Sequence, residues 1–220
     1  MAEPGLIVVG AGPGLGTSVA RRFAAEGFGV SLVARRAETL TSIERALASY
    51  DVPVAGYPAD AGRPDQLEGA LAAAVEEHGV PDVVVYNAGV IRADAPGDLS
   101  PEELAETWSV NVAGILVTAT ATVPGMQERG HGTFLVTGGM PRPVPSHLSL
   151  SLGKAGARAL ASMLAEQYAP SGVHVATVTV AGAIAQGTSY DPDLIAEQYW
   201  RLYGQEPDAW ETEHLYDGPA

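Results

Sequence analysis

Three patterns in this 220-residue chain have residue types and spacings suited to chemistry. The first is Val9-Gly10-Ala11-Gly12-Pro13-Gly14-Leu15-Gly16. Glycines at 10, 14 and 16 permit a tight turn and let backbone amides approach a pyrophosphate at the amino end of the following helix, where the dipole favours an anion. Gly12 and Leu15 belong to the same expected cradle. The spacing is G-x-x-x-G-x-G and departs from G-x-G-x-x-G, because Leu15 stands where that pattern has its third glycine. The second pattern is Arg35-Arg36, at the end of an apolar run. An acidic residue there would accept bonds from a ribose 2′-hydroxyl, whereas arginine pairs with a 2′-phosphate, so NADP(H) is the expected cofactor. Two cations beside a helix amino terminus cost about 0.3–1 kcal/mol each unless an anion is present. The third is Lys154, the single lysine among 12 Lys and Arg residues. A chain that uses arginine everywhere else keeps lysine where a compact ammonium is needed.

From about residue 5 to residue 185 the chain resembles the short-chain dehydrogenase/reductase family. The glycine motif carries the resemblance, with Val9 where the family normally has threonine, together with Asp60, Asn87-Ala88-Gly89, Asn111 and Lys154 in the family's order. The resemblance implies that Asp60 contacts the adenine and that Asn87, Ala88 and Gly89 line the adenosine site. It implies that Asn111 holds a water leading to Lys154, and that Lys154 binds the nicotinamide ribose. Ala181-Gly182 replaces the family's usual Pro-Gly, and Ile184 and Thr188 are placed to meet the carboxamide. A homodimer or homotetramer built on the helices near 101–127 and 150–168 is also implied.

The resemblance fails at the acid. The family pattern is Tyr-x-x-x-Lys, and four residues before Lys154 stands Leu150; the family's serine falls on Gly138 or Gly139. Neither leucine nor glycine has a side-chain proton to give. A missing general acid costs a factor of about 10²–10⁴. Three outcomes stay open. A neighbour such as His147, Ser149, Ser151 or Thr137 substitutes. Or hydride goes to a substrate needing little acid help, such as an iminium carbon or a conjugated double bond. Or the fold serves a non-redox role, as a cofactor-binding module or as an isomerase or cyclase. The leading expectation is an atypical NADP(H)-dependent oxidoreductase acting on a small carbonyl, imine or enone.

The elements that must position these residues follow a strand and helix rhythm. Strands are expected at Leu6–Val9, Val30–Ala34, Val52–Tyr57, Val83–Tyr86, Phe134–Thr137 and His174–Val180. Helices are expected at Gly14–Ala25, Ala37–Ser49, Pro64–Glu77, from Pro101 to about Gln127, and at Leu150–Tyr168. Ser100, Pro101 and Glu103 together mark a capped helix start. Strands separated by helices imply parallel crossovers, hence an α/β, doubly wound, Rossmann-type sheet in a single domain. A short helix from Asp191 to about Tyr203 is expected in the remainder, 183–220, which is rich in Tyr and Trp. That segment is expected to be a substrate lid, core packing or a subunit interface.

Composition bounds the partners. A formal charge of −14 and a pI near 4.6 oppose binding to nucleic acid or anionic membrane, both polyanions. A small-molecule substrate is expected instead. Without cysteine there is no disulfide or thiolate chemistry, and no metal site is expected. The apolar run near the start of the sequence is too short for a signal peptide or membrane span, so a cytoplasmic location is the default expectation.

Overall fold

The computed structural model describes residues 4–219. Seven strands form one parallel sheet in the order β3-β2-β1-β4-β5-β6-β7. They are β1 (Gly5–Val9), β2 (Gly29–Ala34), β3 (Val54–Pro58), β4 (Val83–Tyr86), β5 (Gly132–Thr137), β6 (Val173–Val180) and β7 (Glu213–Tyr216). The helices are α1 (Leu15–Ala24), α2 (Ala37–Leu47), α3 (Pro64–His78), α4 (Pro101–Trp108), α5 (Gly114–Arg129), α6 (Leu148–Tyr168) and α7 (Pro192–Tyr203). The expected doubly wound α/β architecture is present, and strand order reverses between β1 and β4. At such a reversal the flanking crossovers diverge and leave a crevice outside the strands' carboxyl ends.

The central strands β1 and β4 are short and wholly apolar because helices cover both faces. Side chains alternate across the sheet. Leu6, Val8 and Leu32 enter one core layer with α1, α2 and α7, centred on Phe23, Leu47 and Tyr199. Ile7, Val9 and Val33 enter the other with α3, α5 and α6, centred on Leu71, Phe134 and Met126.

Three differences from the sequence-based expectation have physical causes. The helix expected to run unbroken from Pro101 starts as predicted, with Ser100 and Glu103 in a reciprocal capping box. It is then interrupted by a π turn over Ser109–Ala113. Tyr86 of β4 reaches in there and its hydroxyl donates to the Val110 carbonyl at 2.5 Å, while Gly114 has no side chain to block the ring. Such widened turns accommodate an inserted group that an α-helix excludes. The run 101–129 is apolar and long enough to cross a membrane by composition alone; here Ile115, Ala119, Val123 and Met126 pack into the second core layer.

The second difference is α6, which begins at Leu148 rather than Leu150. The buried Asp94 carboxylate holds its first turn, accepting from the Ser149 amide at 2.9 Å and the Ser149 hydroxyl at 2.5 Å. The third is β7, an edge strand of four residues with too little alternation to be read from the sequence.

The aromatic residues of the carboxyl-terminal segment pack against the body of the domain. Trp200 and Tyr203 meet Phe23 and Phe28 edge-on at 5.2–5.9 Å between ring centroids, and Tyr199 is fully buried. Trp210 stacks on His174 at 4.9 Å. Tyr190 lies over Gly182 and against Tyr216. These rings extend the core around α1 and α7, where large aromatic area is removed from water.

Candidate functional site

Because every strand is parallel, the carboxyl ends of β1 to β5 deliver their following residues to one edge of the sheet. There a cleft of about 310 Å³ is lined by Gly10, Gly12, Arg35, Arg36, Asp60, Asn87, Ala88 and Gly89, among others. These expected cofactor-binding residues, far apart in sequence, therefore lie together. Leu15 is buried as the first residue of α1, and Gly16 packs beside the Gly10 carbonyl. Asp60 accepts from the Gly62 amide at 2.9 Å, which fixes its carboxylate.

The glycines of the first turn have two different causes. Gly10 has φ +85° and lies against the Asn87–Ala88 backbone, so a side chain would clash whatever the cleft holds. At Gly12 and Gly14 φ lies outside the left-handed region, and a Cβ would meet no protein atom within 4 Å. Protein packing does not require glycine at either position. Gly12 lines the cleft, and open space beside a helix amino terminus is the geometry of a phosphate cradle.

Arg35 and Arg36 are exposed, Arg36 is the residue before the first turn of α2, and both line the cleft. Neither forms an ion pair among the described residues, where six other arginines do. Two unneutralised guanidinium groups beside a helix amino terminus suit an anion with several acceptor oxygens.

At the far end of the cleft, Gly89 brings Asn111 and Lys154 together. The place a Gly89 Cβ would occupy is 3.5 Å from Asn111 Oδ1 and 3.8 Å from Lys154 Nζ. Asn111, buried in the π turn, accepts from the Val90 amide at 2.8 Å. Gly153 lets α6 approach the Asn111 side chain closely. Lys154 Nζ donates to the Thr137 carbonyl at 2.6 Å. Burial, and secondarily the neighbouring Arg158, lower its pKa to about 8. Desolvation penalises the charged form of a lysine, and a nearby like charge adds to that penalty.

The expected stand-ins for the missing acid are held in other bonds. The Ser151 hydroxyl accepts from the Val144 amide at 3.0 Å and faces the Val144 carbonyl at 3.3 Å. It orders the proline-rich loop before α6. Ser149 donates to Asp94. His147 is half-buried, with Nδ1 3.3 Å from the Ser146 hydroxyl. The Thr137 hydroxyl donates to Asn87 Oδ1 at 2.9 Å, and the buried Tyr199 hydroxyl lies 2.7 Å from it. Asn87 in turn donates to the Gly10 carbonyl at 2.9 Å. Sequence reasoning missed Tyr199 because no motif connects a helix after β6 with the first glycine turn; only the crossover of the fold does. Burial raises the Tyr199 pKa far above its ordinary value.

Gly138 and Gly139 also differ. A side chain at Gly138 would collide with Thr179, whereas one at Gly139 would meet Lys154 Cε at 3.8 Å, an ordinary contact. Of the two, Gly139 faces Lys154 and has room for a side chain. Ile184 is exposed on the loop after β6.

A family model for short chain dehydrogenases matches residues 5–190. The chain belongs to the short-chain dehydrogenase family. A putative ketoacyl reductase 2 of the granaticin polyketide synthase from Streptomyces violaceoruber is 32% identical over 174 residues, which is 76% of this chain and 68% of that protein. Glycine betaine reductase of Emericella nidulans is 39% identical over 126 residues, 57% of this chain but 10% of that much longer relative. Among solved structures, an alcohol dehydrogenase from the archaeon Thermococcus sibiricus, complexed with 5-hydroxy-NADP, is 26% identical and covers 99% of both chains at a TM-score of 0.84. In this short-chain dehydrogenase the cleft lies where strand order reverses, with Lys154 and Asn111 at its β4–β5 end.

Proposed function

We propose that this protein is an NADP(H)-dependent oxidoreductase that transfers hydride to or from a small carbonyl, imine or enone substrate. The observation that carries this reading is the pairing, in one cleft, of the glycine turn, open at Gly12, with Arg35 and Arg36, which form no ion pair among the described residues. The related ketoacyl reductase and the NADP-complexed alcohol dehydrogenase support it. On this reading the amides of the first turn hold the pyrophosphate and the two arginines hold the 2′-phosphate. Asp60 and Asn87 to Gly89 line the adenosine. Asn111 and Lys154 position the nicotinamide ribose, and Ile184 adjoins the carboxamide. The bound cofactor supplies the hydride; the chain binds, orients and provides the proton.

One observation favours a second reading, a cofactor-binding protein without turnover: Leu150 and Gly139 leave the family's two hydroxyl positions without a proton. Consumption of NADPH with a panel of ketones, aldehydes, imines and enones tests the first reading. Tight NADPH binding with no consumption across the panel selects the second. Replacing Arg35 and Arg36 together with alanine weakens NADPH by about 1.5–3 kcal/mol, the scale of hydrogen bonds to charged groups, and leaves NADH nearly unchanged. Equal loss for both nucleotides would remove the 2′-phosphate from the proposal. A homodimer or homotetramer is also proposed, because Trp108, Leu116, Leu152 and Met163 are exposed on the helices α4 to α6.

A further inference from the structure

We propose that Lys154 is itself the proton donor of this site, its Nζ protonating the substrate heteroatom as hydride reaches the adjoining carbon; the assignment rests on the oxidoreductase reading above. The geometry points to it by position and by elimination of the neighbouring hydroxyls. Nζ lies at the Gly89 end of the cleft beside Asn111. Of its three protons one is given to the Thr137 carbonyl. The hydroxyls of Ser149 and Tyr86 already donate to Asp94 and to the Val110 carbonyl, and that of Thr137 donates to Asn87. With Thr137 as donor to Asn87, Tyr199 must donate to Thr137. Leu150 and Gly139 contribute none.

The surroundings of the ammonium suit it to release a proton. From its own helix Arg158 faces it, anchored to the Gly139 carbonyl at 2.6 Å. From β7 the Glu213 carboxylate approaches that guanidinium at 3.9 Å. β5, the π turn and the β4 loop present only neutral groups there, at Thr137, Gly139, Asn111 and Gly89. Burial together with Arg158 brings the pKa to about 8, near the working pH at which a general acid is most effective.

The step balances. The substrate carbon of a C=O or C=N bond gains the hydride, and the π electron pair moves to the heteroatom. The heteroatom takes a proton from Nζ. A neutral amine remains, the nicotinamide leaves oxidised, and solvent reprotonates Lys154. In the reverse direction the neutral amine accepts the alcohol proton.

The test uses two peculiarities of composition, one lysine and no cysteine. In tag-free protein made with isotope-labelled lysine, the single lysine side-chain signal should titrate near the value above, with no cofactor or substrate present. Reduction should fall about tenfold per pH unit above it, and alcohol oxidation should rise through the same pH to a plateau. Lys154→Arg keeps the charge but cannot give up a proton, so turnover should drop by about 100-fold or more while NADPH binding stays within about tenfold. Lys154→Cys alkylated with bromoethylamine restores an ammonium at that position alone; turnover should return with its basic limb moved to lower pH. A lysine that titrates in the ordinary lysine range overturns the assignment, as does an Lys154→Arg protein as active as wild type. If wild type binds NADPH but consumes none, the oxidoreductase reading fails and this one falls with it. Consumption that is indifferent to Lys154→Arg removes the acid assignment alone.

Discussion

The two ends of the cleft are built alike and furnished differently. At the β1–β3 end, backbone shape and cations make the geometry that suits an anion: Gly10 fits a crossing of two chain segments, Gly12 and Gly14 leave space, and Arg35 and Arg36 line the cleft with no ion pair among the described residues. At the β4–β5 end stand the π turn with Asn111, and Lys154 pinned to β5. Yet the positions where the resemblance expects hydroxyls carry Leu150 and Gly139. Retaining a binding site constrains many residues at once, whereas losing or moving one proton donor requires one or two substitutions.

The strongest way to break this contrast is to refurnish the second end. Leu150→Tyr combined with Gly139→Ser should raise reduction of ordinary ketones by about 10²-fold or more, the usual contribution of a positioned acid. Gly139 has room for the serine. No gain in NADPH oxidation, with the fold intact, would mean that the scaffold at this end has also drifted.

The first end is sharpened by comparing two glycines. Gly10→Ala meets backbone at Ala88 and forces a strained φ, so it should destabilise by about 2–3 kcal/mol, seen as a fall in the melting temperature. Gly12→Ala should leave the melting temperature unchanged and weaken NADPH. If Gly12→Ala binds NADPH normally, the open space there is not a cradle.

The smallest expected effect probes the link between the ends. Tyr199→Phe removes the hydroxyl beside Thr137 but keeps the buried ring. It should cost about 1 kcal/mol of stability, the typical net value of one hydrogen bond, in a denaturant titration. A much larger loss, accompanied by weaker NADPH, would make the chain from Tyr199 through Thr137 and Asn87 to Gly10 a positioning device for the glycine turn.

Much of this was readable one local segment at a time. The strand and helix rhythm, the capping box at Ser100, the glycine turn and the arginine pair are short-range patterns, and local hydrophobic periodicity and turn chemistry specify them. The π turn was not readable, because Tyr86, which fills it, is 24 residues away from Val110. The fate of the aromatic residues after β6 was equally hidden. Tyr and Trp suit a lid, an interface or a core, and it is the packing of α7 on α1 that puts Tyr199, Trp200 and Tyr203 against the core.

The amino-acid sequence by itself determined the parallel α/β architecture and the residues of the cofactor end, because those depend on periodicity and on chemistry within a few neighbours. It also put Leu150 four residues before Lys154 and Gly138-Gly139 after Thr137, where the resemblance expects hydroxyl residues. Only the tertiary structure decided which groups near that gap still have a proton to give. That depends on hydrogen bonds and burial between segments distant in the chain, which tie up Ser149, Ser151 and Thr137 and leave Lys154 half-buried beside Arg158.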